Sequence, residues 1–224
     1  MSGAQLRVVR QSLDLTQQRA AKQWRLSQAY LSLMEHDRRP VSRRLVALLA
    51  RRMPALAAEL PLESLGARAR DSERLLGELG YPGYSYLATG RGLVNPALLV
   101  LSVLETPAAP ARVLEALPWL LAHYVDLNWE WLLTRVKAAN LQNRLGYLVG
   151  LARQVAENQD RHDAAEKLAS VAQQLDEARL VKEDTLGREL TEAERRYLRD
   201  HRSEMAVHWN LLTDLRADQL PHVV

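Results

Sequence analysis

The sequence predicts an all-α protein in which a small N-terminal helical bundle is followed by a larger helical domain. Apolar residues recur at helical spacing along most of the 224-residue chain. Residues that favour helix N-termini precede many of these stretches, and β-branched runs with strict alternation are absent. The length allows one large domain or two modest ones, and the change in pattern along the chain predicts two.

The composition is that of an ordinary globular protein, with 47% apolar and 25% charged residues. The chain contains no Cys, which excludes disulfides, Cys-based metal sites and Cys nucleophiles. The N-terminal residues do not resemble a signal peptide, and no apolar run approaches the length of a membrane span. We therefore expect a cytoplasmic protein without membrane contact.

Four short helices are predicted at the start of the chain. The first carries Leu6, Val9 and Leu13 at helical spacing. Each of the next three follows a Ser or Thr whose hydroxyl can accept a hydrogen bond from the first helical turn. These helices are 17 to about 24 after Thr16, 28 to about 36 after Ser27, and one after Ser42 that ends at Met53-Pro54.

A connector separates this bundle from the rest of the chain. A further helix is predicted at about 62–79, and the turn-rich residues 80–92 that follow it are the best candidate for a domain boundary. We therefore place the first domain at residues 1–56, a connecting helix and linker at 57–92, and the second domain at 93–224.

The second domain is predicted to consist of helices joined by short links. Two long helices, 141–156 and 162–179, carry one continuous apolar face each. Pro118 is expected to kink or break a helix near Trp119, and Ser203 to cap the last helix, which buries Ala206, Trp209 and Leu212. The other helix starts are marked by Asn95-Pro96, Pro110, Asn128 and the capping box Thr191-Glu192-Ala193-Glu194.

Positive charge is concentrated at the N-terminus. Residues 1–53 contain 11 Lys and Arg against 3 Asp and Glu, a net charge of +8, whereas the whole chain carries +3. A basic unit joined to a mildly acidic body is typical of a nucleic-acid-binding arm on a second domain. Chance clustering of Arg on solvated helix faces would produce the same asymmetry.

Residues 16–36 have the spacing of a helix-turn-helix, in which the second helix enters the major groove and the first crosses the phosphate backbone. Ala21 is small enough for close contact between the helices, Leu26 closes the turn, and Leu31 and Met34 anchor the second helix. Gln can bond bidentately to adenine, Ser and His can bond to base edges, and an Ala methyl can meet thymine. The outward positions are Gln28, Ala29, Ser32 and His36.

A wider set of residues matches one family pattern: Leu15-Thr16-Gln17, Ala21, Ser27-Gln28, Tyr30-Leu31-Ser32, Met34-Glu35, Arg38-Arg39-Pro40 and Leu45. Through these positions, residues 6–53 resemble the Cro/lambda-repressor family of helix-turn-helix domains, also called the xenobiotic-response-element type. The resemblance covers about a quarter of the chain. It implies an N-terminal helix-turn-helix bundle that binds double-stranded DNA.

The resemblance also implies a role for each matched residue. It implies that Gln17 binds a backbone phosphate and that Glu35 is structural. It places Arg38 and Arg39 near the sugar-phosphate strand. The residues that it directs toward the bases are Gln28, Ala29 and Ser32.

Arg43 and Arg44 are further candidates for phosphate contacts, on electrostatic grounds. They begin a helix, where the helix dipole disfavours cations, so a phosphate partner would explain them; they can equally be ordinary exposed charges. Gln28 could likewise be only a solvated residue of the first turn. The complete predicted DNA-binding set is Thr16, Gln17, Arg25, Ser27, Gln28, Ala29, Ser32, His36, Arg38, Arg39 and Arg43.

Three positions depart from the family pattern. The turn between the two helices has Arg25 where Gly is usual, and Asp37 replaces the Gly that usually follows the recognition helix. Asp tolerates the left-handed conformation better than most residues, whereas Arg25 requires either that conformation with strain or a reshaped turn. Trp24 stands where Leu or Met is usual, and we predict that it is part of the core.

Nothing in the sequence predicts an enzyme, a cofactor or a metal site. There is no Gly-rich phosphate loop, no Gly-x-Ser-x-Gly motif and no His-Glu-x-x-His motif. His201, Glu204 and His208 have a spacing that could place three metal ligands on one helical face, but a cap at Ser203 would break that geometry.

The remaining tryptophans are interpreted as core residues, because the chain has no Phe. Trp119 and Trp209 fit this interpretation without difficulty. Trp129 and Trp131 lie two residues apart on one predicted helix and cannot both face a single core. One of these two is therefore a candidate for an interface.

Together these features predict a sequence-specific DNA-binding transcriptional regulator, a repressor that binds a two-fold operator as a homodimer. Residues 93–224 could bind a toxin protein, as in an antitoxin-like autoregulator. They could instead sense a small-molecule effector or dock another protein such as polymerase. The alternative outside regulation is a protein-interaction module that keeps the helix-turn-helix fold without binding DNA.

Overall fold

A computed structural model describes residues 1–50, 53–89 and 93–221, with the side chains of 54–55 and 67–69 left out of the description. The described chain is almost entirely helical, which confirms the predicted all-α class. It divides into two compact units, Met1–Pro61 and Leu62–Val224. In the described part of the chain, no helix combines the length and the apolar composition needed to cross a bilayer.

The helices of the first unit begin where their caps predict. Thr16 Oγ1 accepts a hydrogen bond from the Arg19 N–H (3.2 Å), and Ser27 Oγ accepts one from the Tyr30 N–H (3.1 Å). Ser42 Oγ does the same for Leu45 (3.3 Å). The helices are α1 Gly3–Ser12, α2 Gln17–Trp24, α3 Gln28–Glu35 and α4 Arg43–Ala50, followed by a 3-10 segment at Pro54–Glu59.

One small core holds these helices together. Trp24 is 4% exposed, so its predicted place in the core is confirmed. Its indole N–H has no hydrogen-bond partner among the described residues, which costs about 1–3 kcal/mol. The buried core residues are Leu6, Val9, Ala20, Ala21, Trp24, Leu31, Met34, Leu45 and Leu49.

The first three helices end without glycine. Asp14, Arg25 and Asp37 follow them in the left-handed region, with φ of 52°, 57° and 54°. At Arg25 the next N–H, from Leu26, donates to the Ala21 carbonyl (2.8 Å) and closes the turn. Arg25 therefore keeps the turn shape that glycine would give, at a cost of about 1–2 kcal/mol.

Asp37 has a structural role that glycine could not fill. Its Oδ1 accepts a hydrogen bond from the Gly3 N–H (2.6 Å), so the end of α3 holds the start of α1. The two segments approach closely, because a Cβ on Gly3 would lie 2.1 Å from the Met34 carbonyl oxygen. The Asp37 side chain thus stabilises the bundle.

The second unit is built around one long helix, α9 (Gln142–Asn158), which packs against α7 (Ala111–His123) and α10 (His162–Asp176). The other helices are α5 Ser72–Glu78, α6 Pro96–Glu105, α8 Trp129–Ala138, α11 Glu192–His201 and α12 Glu204–His208. Two-residue strands, β1 Asp184–Thr185 and β2 Leu211–Leu212, form a parallel pair. Segments of 3-10 helix occur at Gly66–Asp71, Pro82–Leu87 and Ala217–Gln219.

The predicted helix starts of this unit are confirmed. Asn95 Oδ1 accepts from the Ala97 N–H (2.9 Å), with Pro96 as the first helical residue. Asn128 and Ser203 accept in the same way from their first turns, and Pro110 immediately precedes α7. The capping box opened by Thr191 is complete in both directions.

The predicted connecting helix at 62–79 is wrong over most of its length. Only Ser72–Glu78 is α-helical, preceded by the 3-10 segment Gly66–Asp71. Gly66 has a φ of +53°, which an α-helix cannot include.

The turn-rich segment is also not a boundary, since the chain divides after Pro61. Tyr81 and Tyr84 are buried, and the Tyr124 hydroxyl donates to the Leu79 carbonyl (2.8 Å). These contacts make the turns at 80–89 part of the second unit. Residues 90–92 of the predicted linker lie outside the described residues.

Two further expectations are corrected. A break at Pro118 is wrong, because α7 continues through this residue, whose neighbours Leu117 and Leu120 are buried in the core. The last helix stops at His208, before Trp209, whose predicted burial is nevertheless confirmed. Leu212 is buried too, but as part of β2.

Candidate nucleic-acid interface

The predicted base-reading residues share one open side of α3. Gln28 and Ala29 are exposed, Ser32 is half-buried, and His36 is exposed just beyond the end of the helix. Positions four apart on a helix lie on the same face, so Gln28, Ser32 and His36 form one row. The His36 Nδ1 lies 2.8 Å from the Ser32 carbonyl oxygen. Leu31 occupies the opposite, fully buried side.

Two exposed apolar residues of α3 were not predicted as site residues. Leu33 is 37% exposed and Tyr30 is 38% exposed. Leu33 lies four residues after Ala29 and extends its row, where an apolar side chain can contact a thymine methyl group. The helical spacing from Ala29 was the signal that could have identified it.

The N-terminus of α2 presents free backbone donors. Thr16 is exposed and its hydroxyl caps Arg19. The backbone N–H groups of Gln17 and Gln18 have no partner within the described chain. Free N–H groups at the positive end of a helix dipole favour an anion such as phosphate.

Gln17 itself is joined to a buried carboxylate. Its Nε2 donates to Glu35 Oε2 (2.8 Å), while Arg10 donates to the same carboxylate through Nε (2.6 Å to Oε1) and Nη2 (3.3 Å to Oε2). The Glu35 side chain is 0% exposed. The third guanidinium nitrogen of Arg10, Nη1, donates to the Leu15 carbonyl (2.8 Å). Gln17, which the sequence predicts to bind a DNA phosphate, is therefore held in place by Glu35 of α3, and Glu35 in turn by Arg10 of α1.

The electrostatics of Glu35 follow from these contacts. Burial alone would raise the pKa of this carboxyl group. Hydrogen bonds from Arg10 and Gln17, together with the positive charges of Arg10 and Arg7, outweigh burial, and the pKa lies below its ordinary value of 4.5. The carboxylate is thus ionised in the folded protein at neutral pH.

This lowered pKa predicts a pH dependence for the stability of the first unit. Because the unfolded chain binds the proton more readily, the contribution of Glu35 is fully present above pH 4.5 and is lost as the pH falls through the lower folded pKa. The stability advantage of wild type over Glu35→Gln should therefore shrink with falling pH. The difference in free energy of unfolding is measured at each pH by urea unfolding, followed by the NMR signal of the buried Met34 methyl group. A constant difference between about pH 7 and pH 3 would contradict the assignment.

Exposed cations occur on α2, in the turns after α2 and α3, and at the start of α4. None of six exposed cationic residues forms an ion pair within residues 1–50, 53–89 and 93–221. Such charges supply the sequence-independent part of DNA affinity. Arg43 is also exposed, at the start of α4. The six are Arg19, Lys22, Arg25, Arg38, Arg39 and Arg44.

Two of these cations, Arg19 and Lys22, were missed as site residues. They lie three residues apart on α2, so they share an exposed side of that helix. The available signal was their spacing between the capped start of α2 and Arg25. Ser27 is exposed in the turn that follows, where it caps α3.

The alternative metal ligands of the second unit are not brought together by one helix. His201 is the last residue of α11, and Glu204 begins α12 after the Ser203 cap. His208 instead lies against Asp176, with its Nε2 2.9 Å from Oδ1.

The first unit therefore combines an exposed polar row on α3, free donors at the start of α2 and unpaired cations.

Comparisons with known protein families, curated proteins and solved structures found no match to this chain.

Proposed function

We propose that this protein is a sequence-specific DNA-binding transcriptional regulator, acting as a repressor, whose first unit places α3 in the major groove. The observation that carries the proposal is the coincidence of the open Gln28–Ser32 face with free N–H groups at Gln17 and with unpaired cations. Each feature alone is common on protein surfaces, and the support comes from finding all three in one helix-turn-helix unit. The resemblance of residues 6–53 to the Cro/lambda-repressor family points the same way.

The proposal divides the work between two sets of residues. Gln28, Ala29 and Ser32 read base edges, because they extend from an exposed helix face that a groove can accommodate. Arg38 and Arg39, which follow α3, and the N-terminus of α2 contact phosphates and set the register. A homodimer would place two such faces about 34 Å apart on a two-fold operator.

Gln28→Ala is expected to lose discrimination at one base pair by about 1–3 kcal/mol, because the bidentate contact to the base disappears. A binding site is first selected from random duplexes with the full chain, and affinities are then measured for its single-base variants. Gln11→Ala, an exposed glutamine of α1, is the matched control. An unchanged base preference in Gln28→Ala would mean that another face reads the DNA.

Arg38→Ala is expected to weaken binding to all sequences alike, because a phosphate contact carries no sequence information. The slope of log affinity against log salt should fall by about 1. Arg153→Ala, which removes a paired surface arginine of α9, should leave the slope unchanged. Negligible, salt-insensitive affinity of the wild type for every duplex would instead favour a protein-interaction module.

A further inference from the structure

A cavity of about 400 Å³ opens within the second unit. Its walls are α6, α8 and the segment from Leu62 to Gly66, with which this unit begins. The volume lies in the range of small-molecule sites. The proposed DNA-binding face lies in the other unit and uses none of these residues.

One part of the cavity wall is apolar, while Ser64 and Ser102 belong to its polar part. Leu65, Leu98 and Leu101 line the apolar part together with Trp131. Leu98 and Leu101 are 8% and 9% exposed, and Trp131 is half-buried. Of the two tryptophans that cannot share one core, Trp131 is thus the one that faces a cavity. An apolar ligand group would gain contacts and lose water here.

Two opposite charges also line the cavity. Glu105 is the last residue of α6, and Arg135 lies on α8 with its guanidinium carbon 5.8 Å from the centroid of the Trp131 ring. Both side chains are exposed, and neither forms an ion pair with any described residue. The cavity therefore offers one free carboxylate and one free guanidinium beside an apolar surface.

We propose that this cavity binds a free α-amino acid with an apolar side chain. The ligand carboxylate pairs with Arg135, whose planar fork suits bidentate carboxylate recognition. The ligand ammonium pairs with Glu105, at the C-terminal end of α6 where the helix dipole also favours a cation. The side chain packs on Leu98, Leu101 and Trp131. Among simple apolar metabolites, only a zwitterion satisfies both charges.

This inference goes beyond the proposed function and does not rest on it. The ligand site and the DNA face belong to different units, so either assignment can fail while the other holds. Binding of the amino acid is measured without DNA, which keeps the two outcomes separate.

The test is isothermal titration of the full chain with L-leucine and L-phenylalanine. Leucine amide, which lacks the carboxylate, and 4-methylpentanoate, which lacks the ammonium, are the matched analogues. We expect at least one of the two amino acids to bind. If leucine binds, its two analogues should bind about tenfold more weakly than leucine does. If phenylalanine binds, phenylalanine amide and 3-phenylpropanoate should bind about tenfold more weakly than phenylalanine does. The proposal would be overturned if neither amino acid bound at millimolar concentration. It would also be overturned if the analogue that lacks the ammonium bound as tightly as the amino acid it matches.

Variants locate the site. Arg135→Gln and Glu105→Gln should each weaken the amino acid by about tenfold, and both residues are exposed, so folding should be preserved. Lys137→Gln, an exposed cation on the same helix, is the control and should bind as wild type does. Wild-type affinity in both Arg135→Gln and Glu105→Gln would show that the ligand lies elsewhere.

Discussion

Arg10→Met is expected to destabilise the first unit by about 3–5 kcal/mol, because it leaves a buried carboxylate without its main partner. Arg10 Nε lies 2.6 Å from Glu35 Oε1, and the two side chains are 12% and 0% exposed. Methionine fills much of the arginine stem, so the loss comes from the charge and its hydrogen bonds rather than from a cavity.

The measurement is urea unfolding of the full chain followed by the NMR signal of the Met34 methyl group, which lies in the core of the first unit. Arg7→Met is the matched control. Its Nε lies 3.9 Å from Glu35 Oε2, its Nη2 donates to the Glu35 backbone carbonyl (3.2 Å), and its side chain is 42% exposed, so a smaller loss than in Arg10→Met is expected. Replacing both partners, as Arg10→Met with Glu35→Leu, should recover much of the stability. Equal losses in the two single variants would contradict a specific role for Arg10.

Gly146→Ala is expected to destabilise the second unit by about 1–3 kcal/mol. Gly146 lies in the central helix α9, and a Cβ there would meet Trp209 Cη2 and Cζ3 at 2.4 Å. Trp209 is 4% exposed, and its rigid indole has no open space into which to move. The added methyl group therefore forces α9 and Trp209 apart.

Urea unfolding followed by tryptophan fluorescence measures this effect, because four of the five tryptophans lie in the second unit. Gly150→Ala, one turn further along α9, should cost less, since its Cβ would meet the flexible Met205 at Sδ (2.6 Å). Trp209→Leu in the Gly146→Ala background should recover part of the loss, as expected for residues in contact. Gly146→Ala with wild-type stability would refute this packing.

Helix starts were the most predictable feature of the fold. Thr16, Ser27, Asn128 and Thr191 each accept the backbone hydrogen bond expected of them. A cap involves a side chain and an N–H only two or three residues away, so neighbouring sequence is sufficient to recognise it.

The errors arose where distant contacts override local preference. Pro118 stays inside α7 because the surrounding core holds that helix. The turns at 80–89 pack into the second unit through Tyr81 and Tyr84 instead of separating two domains. The strands β1 and β2 have two residues each, which is too short for an alternating pattern to appear.

In the candidate DNA-binding face, too, some features follow from local sequence and others from contacts between distant residues. Local spacing was enough to place Gln28, Ala29 and Ser32 on the outer side of one helix, since helical geometry repeats regularly. Only the folded chain decides that Gln17 donates to Glu35 and that Glu35 is held by Arg10. Those residues are separated by 18 and 25 positions, and packing of three helices brings them together. The periodicity of the sequence predicts which face of a helix a side chain occupies. Hydrogen-bond partners that are distant in sequence meet only when the helices pack around a shared core.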